Sequence, residues 1–256
     1  MKNLPLLSAV AIAVAASACA YAATTDSGAL GTQGYLVYGS TSAAKDGDFF
    51  GGPSRCSFGV AMDHDQRPVT VDGFKETWKN DSLLVYLGYD PVSWATLQAG
   101  VGQTRLDIED GGRDQKTEWS VGLRLRVLEY LILDPPLGNE PYWLGIEAAG
   151  RFSRGLSDGG LGKVSWNQWD GSLTAHLTSK PERRQLLNKI DLFAGPGVSL
   201  IDGKREAFRG SDDISEEQAF GILGGLGFYF GSNVSLTFNV ASFGDLSYGG
   251  ELAFHF

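Results

Sequence analysis

The fold is decided by the C-terminal stretch Leu246–Phe256, which reads LSYGGELAFHF. Large apolar side chains or glycine occupy its even-numbered positions, and small or polar side chains occupy the odd-numbered ones. An alternation with period two predicts a β-strand whose two faces differ in polarity. A tilted strand of about nine to eleven residues is long enough to cross a bilayer. This stretch therefore predicts a strand suited to a membrane, with one apolar face.

The same alternation recurs upstream, for example in Val234–Val240 and Phe220–Phe230. Segments of this kind are predicted at 55–63, 81–90, 93–106, 117–128, 142–153, 164–178, 189–201, 218–230, 233–243 and 246–256. Short or proline-marked connections alternate with polar, glycine-rich ones at 64–80, 107–116, 154–163, 202–217 and 244–245. Short inner turns and longer outer loops are typical of membrane barrels. We expect about ten strands, and eight to twelve remain compatible because two inner connections are not tight.

No helical pattern competes with these strands after residue 22, and no apolar run there approaches the length of a spanning helix. Backbone groups in lipid must be paired internally, which leaves a closed barrel as the other spanning form. A soluble β-sandwich is the alternative, because it would use the same apolar faces as its core. The number of long apolar faces favours an all-β fold, a closed antiparallel transmembrane β-barrel.

The composition limits the classes of function. The 256 residues carry 30 acidic and 21 basic side chains, and this net charge of −9 argues against a nucleic-acid partner. Two cysteines exclude a disulfide scaffold and a four-thiolate zinc site. The acidic run 212–217 is interpreted as solvated loop charge rather than as a cation site. We expect no cofactor and no bound metal.

The N-terminal segment 1–22 is interpreted as a signal peptide that is cleaved. Lys2 precedes an apolar stretch at 4–18, and Ala20-Tyr21-Ala22 fits the small-x-small cleavage pattern. A retained anchor and lipidation at Cys19 are the alternatives. Residues 23–54 are predicted to form a lead-in, either periplasmic or partly inside the barrel, and 55–256 the barrel. Cys56 is expected to be a small apolar residue on a strand rather than a reactive thiol.

Two motifs carry a family resemblance over residues 55–256. The final Leu252-Ala253-Phe254-His255-Phe256 resembles the terminal signature of bacterial outer-membrane β-barrel proteins. The stretch 86–94, YLGYDPVSW, resembles the strand–turn–strand element of small barrels of that family. The resemblance implies the outer membrane of a Gram-negative cell, contact with its lipids, and recognition of the last strand by the barrel-assembly machinery. It implies nothing about oligomeric state.

The two faces of the predicted barrel have different expected roles. Aromatic side chains are expected at the membrane interfaces, where an apolar ring and a polar handle are both satisfied. Those expected near the inner interface are Tyr89, Trp94, Tyr142, Phe230 and Phe256, and those near the outer interface are Trp119 and Trp166. A lipid-facing arginine near the bilayer centre costs about 2–4 kcal/mol, so charged residues are expected to point inward. The inward set is Asp63, Arg124, Arg126, Glu147, Arg151, His176, Asp191, Glu251 and His255.

Arg124 and Arg126, with Glu147 and Arg151 on the next strand, are expected to form a ladder of ion pairs. We interpret this network as a structural filling of the lumen, in a protein with a structural or surface-interaction role. A narrow, charge-selective porin is the alternative.

A hydrolase at the outer rim is a third candidate, because Asp63-His64-Asp65 lies at the predicted outer end of the first strand. A histidine activated by a carboxylate is chemically sensible. Adjacent residues of a strand point to opposite faces, however, so Asp63 and His64 cannot converge. The chain also lacks a Gly-x-Ser-x-Gly elbow, a His-Glu-x-x-His helix and a phosphate-binding loop. We assign no catalytic residue.

Overall fold

The computed structural model describes residues 55–92, 94–108, 115–133, 142–159, 162–179, 187–207, 210–230 and 234–255. Over these ranges the chain forms strands β1 (Arg55–Val71), β2 (Phe74–Val92), β3 (Ala95–Ile108), β4 (Gln115–Leu133), β5 (Tyr142–Gly159), β6 (Gly162–Ser179), β7 (Leu187–Ala207), β8 (Gly210–Glu216), β9 (Phe220–Phe230), β10 (Val234–Phe243) and β11 (Asp245–His255). The predicted signal peptide, the lead-in 23–54 and Cys19 lie outside the described residues. Within the described ranges, no helix is long and apolar enough to cross a membrane.

Ten strands form a closed antiparallel ring. The order β1 to β7, then β9, β10 and β11, follows the chain, and β11 pairs with β1 to close the circle. That closing pair runs from Ser57 opposite His255 to His64 opposite Tyr248. We call inner the end at which β1 begins and β11 finishes, and outer the opposite end. The prediction of a closed antiparallel ten-stranded barrel is confirmed.

The one described strand outside this ring, β8, makes the barrel narrower at its outer end. β8 pairs along Asp202–Ala207 of β7 and along Val69–Val71 of β1. Because β1 and β7 are much longer than β9, β10 and β11, β8 bridges them beyond the point where the last three strands stop. The outer end is therefore a smaller ring made of β1 to β8.

Three predicted outer loops are wrong as loops. Residues 64–80 continue β1 and β2 into a hairpin that turns at Asp72 (φ 49°) and Gly73 (φ 82°). Residues 154–159 and 162–163 belong to β5 and β6, and 202–217 is mostly strand. Glycine adopts the left-handed φ of Gly73 with little strain because it has no Cβ atom, and this conformation suits a two-residue hairpin turn. A second tight turn, at Gly244 (φ 98°), joins β10 to β11 where the sequence predicts the outer connection 244–245. Strand structure thus extends the barrel well past its apolar segment.

The outward and inward faces differ as the alternation predicts. On β11, Leu252 and Phe254 are 42% and 41% exposed, whereas Glu251 and Ala253 between them are 3% and 0% exposed. A β-sandwich would hide Leu252 and Phe254 in its core, so that alternative is excluded. Large exposed apolar side chains occur on β1 to β7 and β9 to β11, which makes the outer surface of the ring a continuous apolar belt.

Candidate functional site

The inner half of the lumen holds a histidine–carboxylate network. His176 Nδ1 lies 2.9 Å from Asp191 Oδ2, and Thr178 donates to the other carboxylate oxygen at 2.7 Å. Thr174 Oγ1 lies 2.9 Å from the second ring nitrogen of His176. Both nitrogens of His176 therefore have oxygen partners, and β6 and β7 are tied together inside the barrel.

The middle of the lumen is crossed by arginines. Arg151 donates from two nitrogens to one oxygen of Asp170 at 2.9 and 3.1 Å. Arg124 reaches the hydroxyl of Thr96 at 3.2 Å, and its Nε lies 3.8 Å from Glu147 Oε1. These side chains are almost fully buried, although most of them are charged. Burial of charge is tolerated only where partners satisfy it, so these residues act as a connected unit.

Other lumen contacts tie the last strands to the first. The Tyr86 hydroxyl on β2 donates to Glu251 on β11. His255 Nε2 lies 2.9 Å from the Ser235 hydroxyl. The Tyr86–Glu251 hydrogen bond therefore supports the seam between β11 and β1 from inside, and the His255–Ser235 contact ties β11 to β10.

Arg67 lies where the ten-stranded ring gives way to the smaller outer ring. Its guanidinium contacts Asp65 at 2.8 Å, Glu216 at 3.2 Å and the Ser199 hydroxyl at 2.6 Å, and it lies 5.1 Å from the centre of the Phe243 ring. The side chain is 0% exposed. Strands β1, β7, β8 and β10 thus converge on one cation.

Glu216 belongs to β8, outside the apolar belt. Burial raises the pKa of Glu216 from 4.5 to about 7, although the adjacent Arg67 opposes that rise. The rise means that removing this carboxylate from water outweighs its attraction to the guanidinium.

Above Arg67 the outer ring encloses a dry apolar cluster, which we call the cap. Trp78 and Trp166 meet edge to face at its centre, with ring centroids 5.2 Å apart. The cap consists of Val69, Val71, Trp78, Leu106, Ile108, Trp166, Ile201 and Ile214, packed against Val164. Buried apolar side chains therefore fill the outer opening of the lumen.

The inward positions predicted for the charged set agree with the structure for Asp63, Arg124, Glu147, Arg151, His176, Asp191, Glu251 and His255, all of which are buried. Of the expected ladder of ion pairs, Arg124 does lie 3.8 Å from Glu147, whereas Arg126 and Arg151 have other partners. Arg151 pairs with Asp170 on β6, and Arg126 pairs with Glu129 on its own strand at 2.9 Å. A bulge between Arg126 and Leu128 turns Glu129 to the same face as Arg126. Whether these residues have the structural role predicted for them stays a prediction.

Sequence reasoning missed Arg67, and it assigned Asp65 to a rim motif and Glu216 to solvated loop charge. The reason is that the segments that carry these residues were interpreted as loops. The available signal was the alternation of Val69 and Val71 with polar neighbours. Trp166 was expected to face lipid at the outer interface and is instead 1% exposed inside the cap. The reason is that β6 continues beyond the belt, where the apolar face is the inner one.

The other expected interface aromatics are placed as follows. Tyr89, Trp119 and Tyr142 are exposed on the outward face, and Trp94 and Phe230 are half-buried. Phe256 lies outside the described residues. Their contact with a membrane interface stays a prediction.

The predicted rim residues are separated. Asp63 and Asp65 point into the lumen, whereas His64 Nδ1 lies 2.6 Å from Asp81 Oδ1 on β2, and its ring stacks on Tyr248 at 4.8 Å. An Asp–His pair therefore exists on the outer wall, with a partner that the sequence did not indicate. Neither of these two partners of His64 is a serine or cysteine nucleophile.

Three of the four acidic side chains in the run 212–217 form ion pairs, and the fourth, Asp213, is exposed. Asp212 pairs with Arg205 at 2.9 Å, Glu216 with Arg67, and Glu217 with Lys75. Over the described part of the chain, no three histidine, cysteine or acidic side chains are grouped to hold a metal ion. The interpretation as solvated loop charge is thus replaced by ion pairs between strands β1, β2, β7 and β8.

Comparisons with known proteins return solved structures only. No protein-family model and no curated protein matches the chain. An outer membrane channel from Pseudomonas putida F1 is 9% identical with a TM-score of 0.37, over 84% of this chain and 100% of that one. The translocator domain of the autotransporter NalP from Neisseria meningitidis is 10% identical with a TM-score of 0.32, over 82% and 90%. The attachment invasion locus protein Ail of Yersinia pestis is 14% identical with a TM-score of 0.32, over 79% and 97%. The assignment of a closed barrel rests on the strand pairing of this chain itself.

Proposed function

We propose that this chain is an outer-membrane β-barrel with a sealed lumen, which anchors a rigid strand extension at the cell surface. The role is structural or one of surface interaction, without catalysis and without passage of solutes. The observation that carries the proposal is the filled lumen, with buried ion pairs along its length and the apolar cap at its outer end.

The outer surface of the ring supports the location in a membrane. Closure through β1 and β11 leaves the ring no unpaired edge, which is the condition for strands in hydrocarbon. The apolar belt covers outward positions of the ten ring strands, and such belts are about 25 Å tall in outer-membrane barrels. Tyr89 and Tyr142 near the inner end and Trp119 near the outer end suit its two interfaces.

The filled interior of the barrel supports the proposal that ions and solutes do not pass through it. Side chains that line a water-filled pore are accessible to water, whereas Arg67, Arg124 and Asp191 are each no more than 2% exposed. An ion that crossed the barrel would have to break these pairs and then pass the cap. Barrels of eight to ten strands are narrow enough for their own side chains to fill them.

The extension supports a role at the surface. Beyond the belt the outward positions of β2, β7 and β8 become charged, with Lys75, Lys79, Lys204 and Asp213 exposed and Phe74 exposed beside the hairpin turn. A polar outward face over an apolar cap is the pattern of a structure in water. The extension therefore presents a preformed, charged surface to partners outside the cell.

Recording from planar bilayers tests the proposal. Protein whose insertion is verified by heat-modifiable mobility on a denaturing gel should give no stable conductance steps, and an open porin recorded in parallel is the positive control. Regular steps of constant size would contradict the sealed lumen and favour a narrow porin. A small cavity of about 10 Å³ near the inner end, lined by residues that include Arg126, Glu129 and His176, is the observation that favours that alternative.

A further inference from the structure

Three aromatic side chains form a row on the outward wall, at the outer edge of the apolar belt. Trp119 on β4 lies 5.4 Å from Phe152 on β5, and Phe152 lies 4.5 Å from Trp169 on β6, measured between ring centroids. Trp119 is 41% exposed and Trp169 is 59% exposed. Such exposure of rings in mutual contact creates a flat apolar platform rather than a core.

A cation stands directly beyond this platform on its outer side. Arg154 lies opposite Trp119 on one neighbouring strand and opposite Asn167 on the other. It is two residues closer to the outer end of the barrel than Phe152. The side chain of Arg154 is exposed. Within the described ranges no carboxylate forms an ion pair with it, whereas Arg67, Arg124, Arg126, Arg151 and Arg205 all have carboxylate partners.

The wall on the membrane side of the platform is recessed. Gly150 lies opposite Gly171 on the outward face. The two glycines are two residues closer to the inner end of the barrel than Phe152 and Trp169. Leu123 and Val198 flank the two glycines on β4 and β7. A Cβ atom added at Gly150 would meet no atom closer than 3.9 Å, so the recess is open there.

We propose that this surface binds the phosphate-bearing headgroup of a membrane lipid of the outer leaflet, with an acyl chain lying over the recess. The guanidinium of Arg154 is a bidentate donor suited to phosphate oxygens, and Asn167 adds an amide donor beside it. The platform supports the headgroup at the depth where aromatic rings are favoured. The inference rests on the proposed function, because the wall must face lipid for it to hold.

The positive charge of Arg154 favours a lipid that carries a phosphate over a neutral lipid. Arg154 is exposed and has no carboxylate partner among the residues that the structure describes, so its charge is available to an anion. It lies at the outer margin of the belt, where headgroups meet acyl chains, and ion pairing is weakened less by water near such an interface than in bulk. A soluble anion would gain the charge interaction but would leave the platform and the recess uncovered.

Native mass spectrometry of the detergent-solubilised full-length protein tests the proposal. Bisphosphorylated lipid A and its dephosphorylated form are titrated against the wild type and the variants Arg154→Gln and Lys163→Gln. The wild type should prefer the phosphorylated lipid, and Arg154→Gln should weaken that binding about tenfold, as expected for one charge-assisted contact. Lys163→Gln, the same charge loss at an exposed position paired in register with Glu206, should change binding less than about twofold.

Several outcomes would overturn the proposal. Equal binding of the two lipids by the wild type would do so, as would an Arg154→Gln variant that binds like the wild type. Binding of inorganic phosphate as tight as that of the phosphorylated lipid would show a site for a free anion. Heat-modifiable mobility, measured for every variant, separates these results from failure of the proposed function, because a protein that is not a membrane barrel would lack it altogether.

Discussion

Replacement of Arg67 by methionine should destabilise the protein by about 3–5 kcal/mol, the usual cost of removing one partner from a buried ion pair. Methionine keeps much of the side-chain volume, so the loss reports on charge rather than on a cavity. Asp65 and Glu216 would remain buried without the guanidinium that now lies 2.8 and 3.2 Å from them. The Ser199 contact and the position over the Phe243 ring would also be lost.

Urea unfolding in lipid vesicles, followed by tryptophan fluorescence, measures this change. Arg205→Met is the matched control, because Arg205 pairs with Asp212 at a partly exposed position, where ion pairs contribute about 0–1 kcal/mol. The reasoning is refuted if both variants lose the same amount, or if Arg67→Met loses less than about 1 kcal/mol.

Two further predictions concern the cap and its border. Trp78→Ala should lower the free energy of unfolding by about 3–5 kcal/mol in the same assay, because it removes a buried ring that packs on Trp166. A loss below about 1 kcal/mol would show that the cap is not tightly packed. Burial raises the pKa of Glu216 from 4.5 to about 7, so the folded protein holds this proton more tightly than the unfolded chain does. Stability from this group is therefore fully present below pH 4.5 and is lost as the pH rises through 7. Glu216→Gln should flatten the dependence of the urea midpoint on pH between 5 and 8, and an unchanged slope would contradict this assignment.

The apolar belt was predictable from the sequence because a wall proposed to face lipid requires apolar side chains at its outward positions. The C-terminal strands show this well, since on β10 Phe238 and Val240 alternate with Asn239 and Ala241, and the structure exposes the first pair and buries the second. The pattern is visible in each strand by itself. Counting such segments therefore gave about ten strands for the ring, but it did not identify β8.

The outer extension was not predictable in the same way. Its outward positions are polar and its inward positions, such as Val69 and Trp78, are apolar, which reverses the rule that holds in the belt. Polar residues, a proline at Pro68 and the Asp72-Gly73 turn then give the segment the composition of a loop. β8 adds a second difficulty, because its pairing with β1 joins residues about 145 positions apart in the chain, for instance Val69 with Glu216.

The ion pairs of the lumen depend on register, which the sequence leaves open. Arg151 lies directly opposite Asp170, whereas Glu147 is four residues further along the same strand as Arg151. The sequence identified which residues point inward, since their neighbours point outward. It did not identify which of them meet, because a shift of two residues keeps every face and changes every partner.

The central claim is that large apolar side chains of the ring face hydrocarbon. A spin label on Leu252→Cys, in a background where Cys19 and Cys56 are serine, tests it after reconstitution into vesicles. The account predicts that dissolved oxygen relaxes the label much more strongly than a water-soluble nickel complex does, as for a site in lipid. A label that neither reagent reaches would place Leu252 in a protein core and contradict the account.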